Sequence, residues 1–286
     1  MEFGAGVRVG AGITMGGEGI NRRPMPKPLF DLTNIPPVIT DSSLVLHLDA
    51  GNPSSYSGGS VWNDISGNGF QAAMSTNMIA NFTPVSAPFG YPNTEASYFN
   101  MGLNQLSRYA QIPYDPILRP TTAITMEAFL YHAAYDAAAN YIMHIPGTGQ
   151  SGARLITGPG EAFLSQSGRW WQFGVNGISQ NPDSALDARD FQAHPYWVHI
   201  VGTYNGSILT TYRNGVASPN PRAYTSSITY TPSVPLWING FSNTTTPPAF
   251  NGFYGYFAVF RMYNRGLTAA EVKNNYDAQK YRYGLT

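Results

Sequence analysis

From Leu44 onward, short runs of Val, Ile, Leu, Thr, Tyr, Phe and Trp alternate with clusters of Gly, Asn, Ser and Pro. This pattern predicts strands separated by tight turns. The clearest case is YWVHIVGTY–NG–SILTTYR. Alternation puts Trp197, His199, Val201 and Thr203 on one side of the strand and Tyr196, Val198, Ile200 and Gly202 on the other. Both sides are mostly apolar, so the strand is expected inside a stacked pair of sheets rather than at an edge. Six Asn-Gly pairs begin at Asn68, Asn176, Asn205, Asn214, Asn239 and Asn251. Each supplies two residues that tolerate positive φ, as a type I′ hairpin turn requires. One helix is predicted at the C-terminus. Thr268-Ala-Ala-Glu271 has the form of a capping box, Leu267, Val272 and Tyr276 give it an apolar stripe, and Gly284 ends it. A shorter helical turn fits Asp183–Phe191. Many strands and one late helix predict an all-β fold, a two-sheet antiparallel sandwich.

Residues 1–41 follow another pattern. Seven glycines fall within residues 4–19, with Val7, Val9, Ile13, Met15 and Ile20 between them, and Pro24, Pro26, Pro28, Pro36 and Pro37 follow. Such a stretch has too little side-chain volume to build a core, and its prolines favour an extended chain. It reads as a Gly/Pro-rich arm, residues 1–41, ahead of one domain, residues 42–286. The apolar residues between the glycines are the expected contacts of the arm with a neighbouring subunit. The competing reading is a disordered tail. The two GxG triplets lack a strand–turn–helix setting and do not form a dinucleotide loop.

Composition narrows the function. Basic and acidic residues number 16 each, charged residues make 11% of the chain, and cysteine is absent. A neutral chain offers no electrostatic footprint for nucleic acid. No apolar run is long enough for a membrane-spanning helix. Without cysteine there is neither a disulfide framework nor a thiolate metal site. The first 20 residues lack the basic head and apolar block of a secretory signal, so cytoplasmic synthesis is expected. Arg (13) far exceeds Lys (3), which suits specific interfacial bonding.

Four segments in order resemble the concanavalin A-like, laminin-G-like jelly-roll family. They are LVLHLDAGNP…VWNDISGNG (44–69), the stretch 98–130 with IPYDPILRPTTAITMEAFL, WVHIVGTYNGSILTTYRNGV (197–216), and GFYGYFAVFRMYNRGLTAAEVKNNYDAQKYRYG (252–284). The pairing of "LDAGNP…SGNG" with a terminal "YNR-L-T-EV-NY" resembles the form found in bacteriophage structural proteins. The resemblance implies a jelly-roll sandwich with one concave sheet and an N-terminal arm. It implies no single function, because one fold hosts many.

Candidate chemistry was weighed residue by residue. Glycosidases of this superfold work with two carboxylates at alternate positions of one strand. Only six Glu occur and none has that spacing. Glu127 stands alone, and the resemblance gives it a structural role. The histidines at 47, 132, 144, 194 and 199 lack metal spacing, and His199 reads as a core histidine. The chain is therefore expected not to be an enzyme. The resemblance also implies a calcium site, with Asp49 and Asp64 as the candidate ligands and Asp115, Asp183 and Asp187 in loops. The alternative is that Asp49 and Asp64 tie loops through backbone amides. For glycan binding the candidates are Trp170 and Trp171, flanked by Arg169 and Gln172. On a strand, one tryptophan can fill the core while the other stands on a sheet face. Trp62, Trp197 and Trp237 read as core. Two functions remain. One is a bacteriophage virion structural protein, a capsid decoration or tail component assembled in the host cytoplasm with other virion proteins and copies of itself. The other is an adhesin module on the virion that binds a host-surface glycan or receptor.

Overall fold

The computed structural model describes residues 35–84, 96–102, 107–132, 140–147, 151–157, 171–180, 196–247, 253 and 255–285. Strands β1 (Leu44–Asp49), β2 (Val61–Asn63) and β3 (Gln71–Met74) lead to a one-turn helix α1 (Thr76–Ile79). Next come β4 (Phe82–Thr83), β5 (Tyr98–Gly102), β6 (Ala110–Ile112), β7 (Ile124–His132), β8 (Asn140–Pro146), β9 (Ser151–Thr157), β10 (Trp171–Val175) and β11 (Ile178–Gln180). The chain continues through β12 (Tyr196–Tyr204), β13 (Ile208–Arg213), β14 (Val216–Ala217), β15 (Arg222–Ala223), β16 (Leu236–Ile238), β17 (Gly255–Tyr263) and α2 (Ala269–Asp277). Single 3-10 turns lie at Pro116–Leu118 and Lys280–Tyr283.

The strands form two antiparallel sheets, as the sequence pattern predicts. The first runs β14-β13-β12-β7-β17-β5-β4, with β1 also on β17 and β15 on β13; the second runs β11-β10-β9-β8-β16-β6-β3-β2. Consecutive strands often lie far apart in this order, which is the crossing pattern of a jelly roll. Between the sheets, Met126, Ala128 and Leu130 of β7, Val198 and Ile200 of β12, and Phe257 and Phe260 of β17 meet Met143, Leu155, Trp171, Phe173, Val175, Leu236 and Ile238 of the second sheet. Gly202 is the closest approach of the two sheets. A Cβ there would lie 2.0 Å from Cγ of Phe173.

β12 is internal, paired with both β7 and β13. The outer face of its sheet is also buried. Helix α2 lays Val272 and Tyr276 against it, beside Val201, Phe129 and Tyr263. The capping box is present: Thr268 Oγ1 accepts from the Glu271 amide, and Glu271 accepts from the Thr268 amide. Residues ahead of β1 are tied to the same helix. Asn275 Oδ1 accepts from the Ile39 amide, and Asn274 donates to the Pro37 carbonyl. No helix among the described residues is long and apolar enough to cross a membrane.

The turns correct one detail. Asn176-Gly177 and Asn214-Gly215 have positive φ at both residues and close two-residue hairpins, as type I′ requires. At Asn205-Gly206 only Gly206 has positive φ, at 93°. The loop there is shifted by one residue to Gly206-Ser207. Asn205 Oδ1 instead accepts from the amides of Ser207 and Ile208, a side-chain turn that competes with the I′ geometry. Asn251-Gly252, the helical turn at 183–191 and the arm residues Val7, Val9, Ile13, Met15 and Ile20 lie outside the described residues.

Candidate functional site

The carboxylates singled out from the sequence are parts of internal clasps. Asp49 is buried, and both its oxygens accept from Arg282, at 2.7 and 2.5 Å. Its Oδ1 also accepts from the Gly51 amide. A guanidinium lying on the carboxylate repels a second cation, so Asp49 is not a calcium ligand here. Asp64 Oδ1 accepts from the amides of His47 and Ser66, and Oδ2 from the Ser66 hydroxyl. That is the loop-tying alternative, and it leaves the pair without shared ligand geometry. No cluster of three or more metal-ligating side chains occurs among the described residues.

Glu127 lies fully buried on the outer face of the first sheet. Its Oε1 accepts from Arg261 at 2.7 Å and lies 3.1 Å from His199 Nε2, while Oε2 accepts from Asn275 at 2.8 Å. Burial alone would raise its pKa. Arg261, with His199 and Asn275, outweighs burial and draws it down to about 2. Arg261 also donates to His47 at 3.1 Å. Glu127 therefore fastens α2 to the sheet, which is the structural role expected for it.

The glycan candidates divide. Arg169 and Trp170 lie outside the described residues. Trp171 is fully buried between the sheets, so it presents no ring to a ligand; the alternation of β10 turns it inward with Phe173 and Val175. Gln172 necessarily faces the other way, onto the outer face of the second sheet. Register then places its neighbours. Gln172 pairs with Ile156, which pairs with Tyr141. In the adjoining row, Gly174, Arg154, His144, Trp237 and Gln111 follow one another across five strands.

This row and its neighbours bring aromatic and polar groups together. The His144 ring lies 4.7 Å from Phe241 and 5.2 Å from Tyr141. The Trp237 ring meets Tyr109 edge-on at 5.8 Å. His144 and Trp237 are fully buried, and Gln172 is 2% exposed. Yet both His144 ring nitrogens, Gln172 Oε1 and Trp237 Nε1 have no hydrogen-bond partner. A buried polar atom left unpaired costs about 1–3 kcal/mol. Four of them on one sheet face mark a place built for polar company. Burial, then the positive charges of Arg154 and Arg119, hold the His144 pKa down to about 3, so its imidazole is neutral, with one donor and one acceptor nitrogen.

Trp237, expected in the core, is thus buried on the outer side of its sheet. Trp197, also expected in the core, is half-buried on the outer face of the first sheet, beside Tyr131 and Tyr98 at 5.6 and 5.8 Å. His144, Tyr141 and Trp237 were missed in the sequence. The available signal was NYIMHIP, where His144 sits between two apolar residues on a strand that otherwise reads as wholly buried.

Comparison with known proteins fits this architecture. Residues 104–273 match the Laminin_G_3 family, described as the concanavalin A-like lectin/glucanases superfamily. A search of curated sequences finds no match. Among solved structures, the chain resembles the binding domain of Paraclostridial mosquitocidal protein 1, with 15% identity and a TM-score of 0.55 over 83% of this chain and 52% of that one. It resembles the binding domain of botulinum neurotoxin DC, solved with rat synaptotagmin II, with 12% identity and a TM-score of 0.56 over 85% and 53% of the two chains. It also resembles domain 4 of AbnA, a GH43 extracellular arabinanase from Geobacillus stearothermophilus, solved with arabinotriose; identity is 14% and the TM-score 0.51 over 82% and 98%. The chain spans about half the length of the two toxin binding domains. At these identities the likeness is one of fold. With the family match covering more than half of its length, the chain belongs to the concanavalin A-like lectin/glucanases superfamily.

Proposed function

We propose that this protein is a non-enzymatic recognition module that encloses a carbohydrate on the outer face of its second sheet, around His144, Gln172 and Trp237. The observation that carries this reading is the set of four unpartnered buried polar atoms among aromatic rings. Gln172 Oε1 asks for a donor, Trp237 Nε1 for an acceptor, and neutral His144 for one of each. A sugar supplies both from its hydroxyls and lays its apolar C–H surface on rings such as Tyr141 and Phe241. Ligand sites of this kind combine apolar walls with a few placed polar groups. The eight strands of this sheet contain no Asp or Glu, which speaks against a glycosidase that needs two carboxylates across the sugar.

The test sets binding against stability. Replacing an unpaired buried polar group by an apolar one of similar shape is close to neutral for folding, or stabilising. His144→Phe and Gln172→Leu are expected to abolish binding on a glycan array while leaving the melting temperature unchanged or raised. A lowered melting temperature in both variants, with wild type silent on the array, would sink this reading.

The setting we propose is a bacteriophage virion, where the module acts as a knob on the particle surface and the residue 1–41 arm tethers it to neighbouring proteins and copies of itself. Support comes from the sequence form LDAGNP…SGNG with YNR-L-T-EV-NY. Mass spectrometry of purified phage particles, followed by labelling to locate the protein on capsid or tail, tests it. Its absence from every particle would refute the placement.

A further inference from the structure

The same face is bordered by a buried cation with no acid beside it. Arg119 follows the 3-10 turn Pro116–Leu118 and is 6% exposed. Its Nη1 donates to the Leu118 carbonyl at 3.1 Å and its Nη2 to the Val234 carbonyl at 2.8 Å, while Nε has no partner. The guanidinium stands 5.3 Å from the Tyr114 ring and 5.9 Å from the Tyr230 ring. Among the described residues no carboxylate lies within ion-pair distance of it. The nearby Asp115 is occupied in capping the turn, where it accepts from the Ile117 amide. Val234, which anchors Arg119, lies two residues ahead of β16, the strand that sets Trp237 beside His144. On the other side of His144, Arg154 is its direct cross-strand partner.

Two guanidiniums therefore flank an imidazole whose nitrogens are unpaired, on a sheet whose strands carry no acidic residue. A buried cation without a counter-charge is costly, and an anionic ligand group removes that cost. Arginine is also the side chain best shaped to receive a carboxylate through two parallel hydrogen bonds. We infer that the ligand of this face is an acidic saccharide, whose negatively charged group is received on the Arg119 and Arg154 side of His144 and whose hydroxyls meet Gln172 and Trp237. This inference rests on the carbohydrate reading above and adds the charge of the ligand to it.

Calorimetry on the full chain tests the charge with matched ligands: an oligogalacturonide, its methyl ester, and a sulfated oligosaccharide of similar length. The acid is expected to bind about tenfold tighter than its ester or better. Its affinity should fall as salt is raised, and the ester's should not. Arg119→Met should bring acid and ester to equal affinity, and Arg119→Lys should restore part of the preference. The wild-type comparison of acid and ester stands even where the Arg119→Met chain fails to fold. Sulfated ligand bound as tightly as uronate supports an anionic ligand and assigns sulfate as well as carboxylate to the site. Equal binding of acid and ester by wild type overturns the inference and leaves the carbohydrate reading intact. Binding of no saccharide, acidic or neutral, overturns both.

Discussion

Glu127 and Gln172 are both buried polar residues on strands, yet the structure treats them oppositely. Glu127 has a partner for each oxygen, in Arg261, His199 and Asn275, drawn from strands and a helix more than 70 residues away in sequence. Gln172 keeps one oxygen unanswered. The first arrangement is that of a structural residue and the second that of a binding residue. Removing one partner of a buried ion pair strands the other charge, at roughly 3–5 kcal/mol. Glu127→Ala is therefore expected to lower stability by about that much in urea melts, through the orphaned Arg261. A paired Glu127→Ala/Arg261→Met chain should recover a large part of the loss. Recovery of none would mean that Asn275 or His199, rather than Arg261, carries the coupling. The lone Glu127 was legible as structural because no second carboxylate follows it at strand spacing. Its partners were not legible, since nothing local in the sequence joins position 127 to 261 or 275. The site around His144 was hidden for the same reason. Its members come from β8, β9, β10 and β16, and only strand register brings them into rows.

Elements whose signals are local were read correctly. The capping box at Thr268 and Glu271, the I′ turns at Asn176 and Asn214, and the two-faced strand β12 each depend on residues a few positions apart. The turn at Asn205 departs from expectation because the same side chain offers a competing local bond, which the Asn-Gly signature does not reveal. Helix α2 matters more than its nine residues suggest. Glu271 also receives Arg265 at 2.7 and 2.9 Å, and Arg265 in turn reaches Asp41 ahead of β1. Both partners are partly exposed, so the ion pair itself adds little, and the cap is the larger local contribution. Thr268→Ala is expected to cost about 1 kcal/mol. Hydrogen exchange should show faster opening at the start of α2, with β7 and β12 protected as before. Uniform loss of protection across both sheets would mean that the cap is coupled to the whole sandwich.

At the scale of the whole molecule, low charge on the outside coexists with ionisable groups held inside. The neutral composition suits crowding of identical subunits with little repulsion. The interior responds to acid. His47 and His144 are buried, and burial, reinforced by nearby arginines, lowers each from an ordinary value of 6.5 to about 3. Glu127 is lowered from 4.5 to about 2. For the histidines, the unfolded chain takes up protons below pH 6.5 while the folded chain refuses them until about pH 3. Stability is then full above pH 6.5 and falls as pH drops through that window. For Glu127, folded stability is full above pH 4.5 and is lost as pH falls toward 2, so its contribution has the same sign and begins lower. The melting temperature is expected to be flat from pH 8 to 7, to decline from about 6.5, and to steepen below 4.5. His144→Phe removes one of the two histidine contributions and should make the decline between pH 6.5 and 4.5 shallower, without shifting the steeper limb below it. An acid profile identical to wild type would show that His144 takes its proton in the folded state, and with it that the imidazole is not the neutral donor and acceptor required for the sugar.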